Sequence, residues 1–416
     1  MKRFKATKNP LISGEGFCDP HLNAHGGRVY MYTGHDADKS SGGYVMDKWL
    51  IWSSRDMVNW RLEKEIYPEQ TFMGKSTNCW ATDGEFKNGK HYFYFSAGGE
   101  MTGVLVSDSV GGEYADVLKR PLLDGTNVPS KEYDPAVFTD DDGKSYILFG
   151  APSWAYKDDG GYFIAELNDD MVSLKEKPRR IFLNHVGDDK VALHKRNGIY
   201  YLSFGSFYAT SKDIYGPYTF VGNLGVSCDH GSFLNWRGQW FKSFTVQDPT
   251  DHHRASGICY VHFKDDGSMV CDDIIVEYGV GHYDSDLNRI QAEWYMRADR
   301  AQKKENDLGS FSVKPEKDGA FVYYPKVEKL RGKDSIVLSA LSLEEGAFVE
   351  IREGGKRGRL LTEVKLPRSG FNDFRGYRRI AVDLPKFEKD CCDLTFVFKN
   401  TGDNEVYIDW FKIYKK

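Results

Sequence analysis

The sequence predicts an all-β protein in which a five-bladed β-propeller is followed by a β-sandwich, and three observations favour this fold class. The 416 residues include 42 glycines, 25 tyrosines, 26 phenylalanines and 9 tryptophans, a composition typical of many short strands joined by tight turns. A unit of one turn and one aromatic strand recurs five times before residue 287. Long apolar patterns with the 3.6-residue period of a helix are missing, which argues against alternating strands and helices.

Each of the five repeats starts at a glycine-bearing turn that leads into a strand rich in aromatic residues. The turn glycines are Gly27, Gly89, Gly143, Gly198 and Gly238. Asn-Gly and Asp-Gly pairs are strong hairpin signals, because both central residues of a type I′ turn need a positive φ. The repeats are roughly 40 to 60 residues long, the length of a four-stranded propeller blade. Because first strands line the central channel of a propeller, polar residues just before each hairpin are expected to face one shared pocket.

The pattern changes near residue 287. Apolar and polar residues then alternate, as in 347–352, 394–399 and 407–414. Such alternation is typical of half-buried strands. We therefore expect a propeller over residues 1–286 and a β-sandwich of the jelly-roll type over residues 287–416.

Charge and composition exclude several classes of partner. The 56 basic and 61 acidic side chains give a net charge of −5, whereas nucleic-acid binders usually carry an excess of basic charge. Apolar runs long enough to span a membrane are missing, and the basic N-terminus is not followed by the apolar segment of a secretory signal. Seven scattered cysteines without a CxxC motif favour free thiols. Together these features predict a cytoplasmic protein that binds neither nucleic acid nor membrane.

Acidic residues just before three of the hairpins are the candidates for chemistry. Asp19 and Asp134 each begin an Asp-Pro pair, and Asp188 and Asp189 occupy the matching place before the fourth hairpin. One Asp-Pro pair is usually an ordinary turn, but recurrence in separate repeats favours a functional site. Carboxylates that converge on one cavity suit glycoside hydrolysis, in which one acid protonates the leaving oxygen and one carboxylate activates water.

Several motifs in this part of the chain resemble glycoside hydrolase family 43. They are Asp-Pro-His at 19–21, Trp-Ala-Thr-Asp at 80–83, Tyr-Asp-Pro at 133–135, the segment 193–202 and Asp-His-Gly-Ser at 229–232. The resemblance covers about residues 8–286 and implies inverting enzymes built on a five-bladed propeller. By resemblance, Asp19 is the general base, and Asp134 orients the general acid and raises its pKa.

The general acid is the point at which the sequence departs from that family. The family usually has a glutamate followed by Gly-Pro or Ala-Pro at this place. Here the corresponding residue is Asp189, nine residues before Gly198, and Lys190 and Val191 follow it. We expect Asp189 to be the acid, with Asp188 as the nearest alternative.

The resemblance also implies roles for residues around the pocket. His230 would point into the channel and help to hold a hydrated calcium or sodium ion, although a lone histidine is more often structural. Arg254 would contact the sugar, with a surface salt bridge as the alternative. Trp80 would stack on a sugar ring, although tryptophan also fills propeller cores. The resemblance implies no organic cofactor.

The C-terminal part resembles carbohydrate-binding module family 6, through residues 291–293, 366–370 and 408–411. By that resemblance, Glu293 and Asp409 would ligate a structural calcium ion, which prefers oxygen ligands. Phe374 and Tyr377 stand where the module has its aromatic pair, but the usual tryptophan is absent. We therefore expect this domain to brace the propeller rather than to bind sugar.

The functional prediction is an exo-acting glycosidase that removes α-L-arabinofuranosyl units from xylan- or arabinan-derived oligosaccharides. β-Xylosidase activity is the nearest alternative, because both sugars share a pattern of ring hydroxyls. A sugar-binding propeller without activity is the alternative from another class, and the departure at Asp189 motivates it.

Overall fold

The computed structural model describes residues 2–6, 8–151, 161–226, 230–307 and 309–416. Within them the protein is all-β, as predicted, with 31 strands, one α-helix and three single turns of 3-10 helix. Asp229 of the predicted Asp-His-Gly-Ser motif and Cys228 lie outside the described residues. The six described cysteines are free thiols. Within the described residues, no helix has the length and apolar character needed to cross a membrane.

The chain divides into two compact units. The first comprises Met1–Leu234, Phe241–Cys259 and Asp273–Gly279. The second comprises Asn235–Trp240, Tyr260–Asp272 and Val280–Lys416. The predicted domain boundary between residues 286 and 287 stays a prediction.

Antiparallel sheets follow one another along the first part of the chain. The first sheet has the order β1-β5-β4-β3-β2, with β1 (Arg3–Lys5), β2 (Phe17–His25), β3 (Arg28–Asp36), β4 (Met46–Ser54) and β5 (Asn59–Ile66). The second sheet contains β6 (Cys79–Lys87), β7 (Lys90–Ala97) and β8 (Met101–Ser107). The third sheet has the order β12-β11-β10-β9, with β9 (Ala136–Thr139), β10 (Ser145–Ala151), β11 (Gly161–Glu166) and β12 (Arg179–Arg180).

Two further sheets continue this meander. The fourth sheet contains β13 (Val191–Arg196), β14 (Ile199–Phe204), β15 (Phe207–Ser211) and β16 (Thr219–Asn223). The fifth contains β17 (Phe233–Trp236), β18 (Gln239–Thr250), β19 (His253–Phe263) and β20 (Met269–Cys271). The short helix α1 (Asp273–Tyr278) follows, and the 3-10 turns are Pro68–Gln70, Ala292–Trp294 and Phe374–Gly376.

The remaining strands form two larger sheets. The sixth sheet has the order β23-β24-β31-β26-β29, and β21 also pairs with β31. Its strands are β21 (Ile290–Gln291), β23 (Ala301–Glu305), β24 (Phe311–Pro315), β26 (Ser335–Ser342), β29 (Arg378–Asp383) and β31 (Val406–Tyr414). The seventh has the order β22-β25-β30-β27-β28, with β22 (Arg297–Asp299), β25 (Phe321–Val327), β27 (Phe348–Glu353), β28 (Arg359–Lys365) and β30 (Cys392–Lys399).

The hairpin turns form where the glycines predict them. In the β6–β7 turn, Asn88 and Gly89 have φ values of 52° and 78°, and in the β13–β14 turn Asn197 and Gly198 have 51° and 76°. Two consecutive positive φ values are the signature of a type I′ turn, which asparagine and glycine adopt at low cost.

Apolar cores lie between consecutive sheets. One buried cluster joins Trp49 of the first sheet to Phe93 of the second. A second joins the second sheet to Phe149 of the third, and a third cluster joins the third sheet to Leu202 of the fourth. Large aromatic side chains fill these cores because each buries much apolar area. Apolar cores thus join the first four sheets in chain order.

Candidate active site

The two Asp-Pro aspartates have an unusual backbone conformation. Asp19 in β2 has a φ of 53°, and Asp134, just before β9, has a φ of 56°. A positive φ is uncommon for residues other than glycine, and holding a residue there costs about 1–3 kcal/mol. The β2–β3 pairing also shifts register between Cys18 and His21, a bulge of the kind that re-aims a side chain. Such strain is typical of functional sites.

The predicted acidic residues meet at one small cavity in the first unit. Its volume is about 130 Å³, and it is lined by Asp19, Tyr44, Met46, Trp80, Ala81, Tyr133, Asp134, Asp189, His230 and Arg254. All six residues predicted for catalysis or sugar binding are in this set. The repeat therefore brings the carboxylates of three different sheets to one place.

Asp19 is buried and tightly bonded. Its two carboxylate oxygens accept hydrogen bonds from Nη1 and Nη2 of Arg254 at 2.8 and 3.1 Å. The Thr245 hydroxyl donates to Oδ1 at 3.2 Å and accepts from the Asp19 amide at 3.0 Å. Burial raises the pKa of Asp19, but the charges of Arg254 and His230 outweigh it and hold the pKa below its usual value. Asp19 is therefore ionised, as a general base must be.

Arg254 is a buried residue between two carboxylates, not part of a surface salt bridge. Besides Asp19, it binds Asp36 through Nε at 3.0 Å and Nη2 at 3.1 Å. The guanidinium also lies 4.6 Å from the ring centre of Tyr44, a cation–π contact. These contacts fix the orientation of Asp19 and expose little of Arg254 to the cavity.

Among the three candidate carboxyl groups, Asp134 alone has a raised pKa. Its amide donates to the Ser96 hydroxyl at 2.8 Å, and its Oδ2 lies 3.9 Å from Nε2 of His230. Burial, reinforced by the charge of Asp189 and opposed by His230, raises the pKa of Asp134 to about 6. Asp134 thus holds a proton at mildly acidic pH.

His230 links Asp134 to Asp189. Its Nε2 lies 3.3 Å from Oδ1 of Asp189, whose side chain remains 35% exposed. Burial lowers the pKa of His230, but Asp19, Asp189 and Asp134 together raise it to about 9. Conversely, burial raises the pKa of Asp189, and the positive charge of His230 outweighs this and lowers it. At neutral pH the pair is an imidazolium and a carboxylate.

Asp188 and Asp189 face different surroundings. Asp188 lines a separate cavity of about 710 Å³, and its carboxylate lies against the backbone of Gly205, where a Cβ atom would come within 2.2 Å of Oδ2. The Tyr162 hydroxyl donates to the backbone oxygen of Asp188 at 2.5 Å and to that of Asp189 at 2.8 Å, which holds this segment. Asp189 alone of the two reaches the cavity that contains Asp19 and Asp134.

Trp80 forms an aromatic wall of the cavity. Its ring meets the ring of Tyr133 edge to face at 6.3 Å and that of Tyr44 at 6.1 Å. A wall of this kind can pack against the apolar face of a sugar ring.

Sequence inspection missed several polar residues that complete the site. Asp36 pairs with Arg254, and His21 lies 3.3 Å from Asp83 through Nδ1 and Oδ1. Lys190, seen in the sequence only as a departure from a motif, is buried and donates to the backbone oxygen of Thr82 at 3.0 Å. His21 belongs to the Asp-Pro-His motif at 19–21, which was the available signal, whereas no local pattern marked Lys190 as buried.

The channel ion predicted at His230 stays a prediction. Asp134, Asp189 and His230 offer three ligand atoms within 4.8 Å of one another. A histidine ligand must be neutral to offer its lone pair, so an ion here would have to compete with the proton that the neighbouring carboxylates favour on His230.

Glu293 and Asp409, the predicted calcium ligands, lie buried in the second unit. Among the described residues, Glu293 Oε2 has no hydrogen-bond partner, and burial raises the pKa of Glu293 well above its usual value. Asp409 accepts from Asn306 at 3.4 Å and from Ser339 at 3.5 Å. Glu293 lies close to His262 and Asp272, and the three side chains offer ligand atoms within 4.8 Å of one another. An unpartnered buried carboxylate oxygen suits a hard cation such as calcium.

Of the predicted aromatic pair of this unit, Phe374 is exposed, whereas the Tyr377 hydroxyl is bonded to Ser312 at 2.8 Å.

Comparison with known proteins gives one consistent result. The family model for glycosyl hydrolases family 43 matches residues 7–206. A xylosidase/arabinosidase of Bacteroides ovatus is 24% identical over 326 residues, covering 64% of this chain and 98% of that protein. An arabinoxylan arabinofuranohydrolase of Bacillus subtilis is 26% identical over 437 residues, covering 87% and 84%.

A solved structure of a family 43 arabinoxylan arabinofuranohydrolase from Bacillus subtilis matches with a TM-score of 0.58 at 21% identity, covering 99% of both chains, which shows a shared fold. Residues 7–206, which include Asp19, Asp134 and Asp189 of the cavity, therefore belong to the family 43 glycosyl hydrolases, and the protein is a glycoside hydrolase.

Proposed function

We propose that the protein is an inverting exo-glycosidase that hydrolyses terminal α-L-arabinofuranosyl residues from xylan- or arabinan-derived oligosaccharides. The observation that carries this proposal is the meeting of Asp19, Asp134 and Asp189 at one small cavity. Two carboxyl groups on opposite sides of a glycosidic bond, with room for water between them, are what inversion requires.

In the proposed mechanism Asp19 is the general base. Its ionised carboxylate, oriented by Arg254 and Thr245, takes a proton from the water that attacks the anomeric carbon. The bond from that carbon to the leaving oxygen breaks with its electron pair on oxygen. Replacing the carboxylate by an amide removes the base, so Asp19→Asn should lose most turnover of an aryl arabinofuranoside. Near-normal turnover in this variant would exclude Asp19 as the base.

Asp189 is the proposed general acid, and His230 supplies its proton. Because Nε2 of His230 lies 3.3 Å from Oδ1 of Asp189, Asp189 can pass a proton to the leaving oxygen while it takes one up from the imidazolium, so no free neutral carboxyl has to form first. Asp134, on the other side of His230 at 3.9 Å, tunes this pair by its own charge.

The cavity size supports exo action. Typical ligand sites of drug size have volumes of about 300–1,000 Å³, and the cavity of about 130 Å³ lies below that range. A space this small suits a single terminal sugar unit and not an internal unit of a chain.

The proposed architecture is a five-bladed propeller followed by a jelly-roll sandwich that resembles carbohydrate-binding module family 6. Apolar clusters that join consecutive sheets support the propeller. In the second unit, Phe411 of the sixth sheet lies 4.9 Å from Tyr324 and 4.8 Å from Phe396 of the seventh, which supports two sheets packed face to face.

Hydrolysis of β-xylosides is the second candidate activity, and the Bacteroides ovatus relative, a xylosidase/arabinosidase, favours it. A panel of nitrophenyl α-L-arabinofuranosides, β-D-xylosides and galactosides tests the choice. Arabinofuranoside turnover with inversion at the anomeric carbon, followed by NMR, is the expected outcome. Preference for xylosides, or retention, would overturn the proposed specificity or mechanism.

A sugar-binding protein without activity is the candidate from another class. The observation that favours it is the pKa of Asp189, which His230 lowers although a general acid needs a proton. Isothermal titration with arabinose beside the turnover assay separates the two. Binding without turnover of any panel member would establish the binding protein.

A further inference from the structure

Lys190 occupies an unusual position for a lysine. It directly follows Asp189 and precedes β13, and only 3% of its surface is exposed. Lysine is almost never fully buried unless its charge is paired. Burial of an ammonium group costs several kcal/mol unless nearby groups compensate it. A specific set of partners must therefore hold this side chain.

The ammonium of Lys190 reaches from the fourth sheet to the second. Its Nζ donates to the backbone oxygen of Thr82 in β6 at 3.0 Å. The next residue, Asp83, accepts from the amides of Gly84 and Val137 at 2.7 Å each and contacts His21. Because β6 belongs to the second sheet and β13 to the fourth, this hydrogen bond links two sheets that are not consecutive along the chain.

Charged and titratable groups from five sheets or their entry segments face this ammonium or its carboxylate partners. They are Asp19 and His21 on β2, Asp83 on β6, Asp134 before β9, Asp189 before β13, His230 before β17 and Arg254 on β19. Four of the seven are carboxyl groups whose charges act directly on Lys190. Arg254 is bonded to Asp19 and His230 to Asp189, and Lys190 adds a further positive charge that acts on Asp83 and Asp134.

We propose that Lys190 is a positioning residue for the hydrolysis proposed above: its ammonium, anchored on Thr82, is the fixed positive charge around which the carboxylates of the cavity are arranged. It adds to the charges of Arg254 and His230 that hold Asp19 in its ionised form, and it reduces the repulsion between Asp83, Asp134 and Asp189. Burial lowers the pKa of Lys190, and the carboxylates oppose this and favour the charged form.

The test compares two uncharged replacements with a matched control. Lys190→Met removes the charge and the hydrogen bond to Thr82, whereas Lys190→Gln removes the charge and keeps an N–H donor. Lys242→Met is the control, because Lys242 is equally buried in β18, with its Nζ 4.8 Å from the ring centre of Phe233. It is not among the charges that act most strongly on Asp19, Asp134 or Asp189.

The first readout is the pH dependence of kcat/KM on an aryl arabinofuranoside. Its acidic limb reports the base of the free enzyme. Loss of one neighbouring cation should raise the pKa of Asp19 and so shift the acidic limb to higher pH by about one pH unit. On the acidic side, kcat/KM should then fall about tenfold. Both Lys190 variants should show the shift and Lys242→Met should not. A glutamine variant with the wild-type profile would overturn the proposal, because the hydrogen bond and not the charge would then suffice.

The second readout needs no activity and so separates this proposal from the proposed function. Lys190 attracts the carboxylates only when they are ionised. Because the pKa values of Asp19 and Asp83 lie below their usual range, the loss of Tm in Lys190→Met should be smallest near pH 3 and should grow as pH rises. Lys242→Met should lose Tm equally at every pH. A pH-independent loss in both variants would reduce Lys190 to a packing residue. Should the Lys190 variants not fold, Asp83→Asn tests the same charge balance, because it should move the acidic limb to lower pH; an unmoved limb would contradict the proposal.

Discussion

Replacement of Arg254 by methionine tests the electrostatic design of the cavity most directly. The guanidinium makes four hydrogen bonds of 2.8 to 3.1 Å to Asp19 and Asp36, both of which are buried. Without it, two buried carboxylates lose their main partner. Removal of one partner of a buried ion pair costs about 3–5 kcal/mol. In domains of 150–250 residues, each kcal/mol corresponds to about 2–4 °C in Tm, so we expect Tm to fall by about 10 °C.

The same change should alter the pH dependence of stability. Arg254 helps to hold the pKa of Asp19 below its unfolded value, so the stability it contributes is present above the unfolded pKa and is lost as pH falls through the folded pKa. The stability difference between wild type and Arg254→Met should therefore be largest at neutral pH and shrink toward pH 3. Differential scanning calorimetry between pH 3 and 8 measures this difference.

Two further variants serve as controls. Arg254→Lys keeps the charge but loses the planar fork that binds two carboxylates, so it should fall between wild type and methionine. Arg359→Met removes an exposed ion pair with Glu353. Because exposed ion pairs contribute less than about 1 kcal/mol to the free energy of unfolding, this variant should lose little Tm. If Arg254→Met loses no more Tm than Arg359→Met at neutral pH, the argument that Arg254 compensates the buried charge of Asp19 and Asp36 is wrong.

Three other predictions concern the proposed acid Asp189, the nearby Asp134 and the second unit. Asp189→Asn should lose far more turnover on substrates with poor leaving groups than on dinitrophenyl glycosides, which need no acid. Asp188→Asn should stay within a few-fold of wild type on both kinds of substrate. Equal losses in the two variants would reassign the acid. Asp134→Asn should be more stable than wild type at pH 7 but not at pH 4. Burial raises the pKa of Asp134 to about 6, so the wild-type protein loses stability as that carboxyl ionises. Measurement of Tm at the two pH values tests this. Calcium added after chelation should raise Tm, and Glu293→Gln should abolish the increment; an equal increment in both would exclude Glu293 as a ligand.

The all-β fold class and the carboxylates that line the cavity were open to prediction because local chemistry encodes them. Asn88-Gly89 and Asn197-Gly198 form tight turns since few other pairs accept two positive φ values. Asp19 and Asp134 were found because each stands before a hairpin in the same register. Repetition of a local motif thus revealed a non-local cluster without any knowledge of the packing.

Other properties were beyond the sequence because they depend on which distant residues meet. Asp188 and Asp189 are adjacent and chemically identical, yet only Asp189 lines the cavity with Asp19. The side chain of Asp188 is directed against the backbone of Gly205 and away from this cavity. No local sequence pattern encodes that contact. The charge state of His230 is another case, because the charges of Asp19, Asp189 and Asp134 raise its pKa to about 9.

The sequence by itself determined an all-β chain, the positions of the hairpins and the acidic residues that precede them, since strand alternation, turn chemistry and repeat spacing are local. Only the tertiary structure decided the charge states. The partner of Arg254 at Asp36 lies 218 residues away, and Thr82 lies 108 residues from Lys190. Electrostatic energy depends on distance and burial rather than on position along the chain, so proton affinities in the cavity emerge only when the sheets come together.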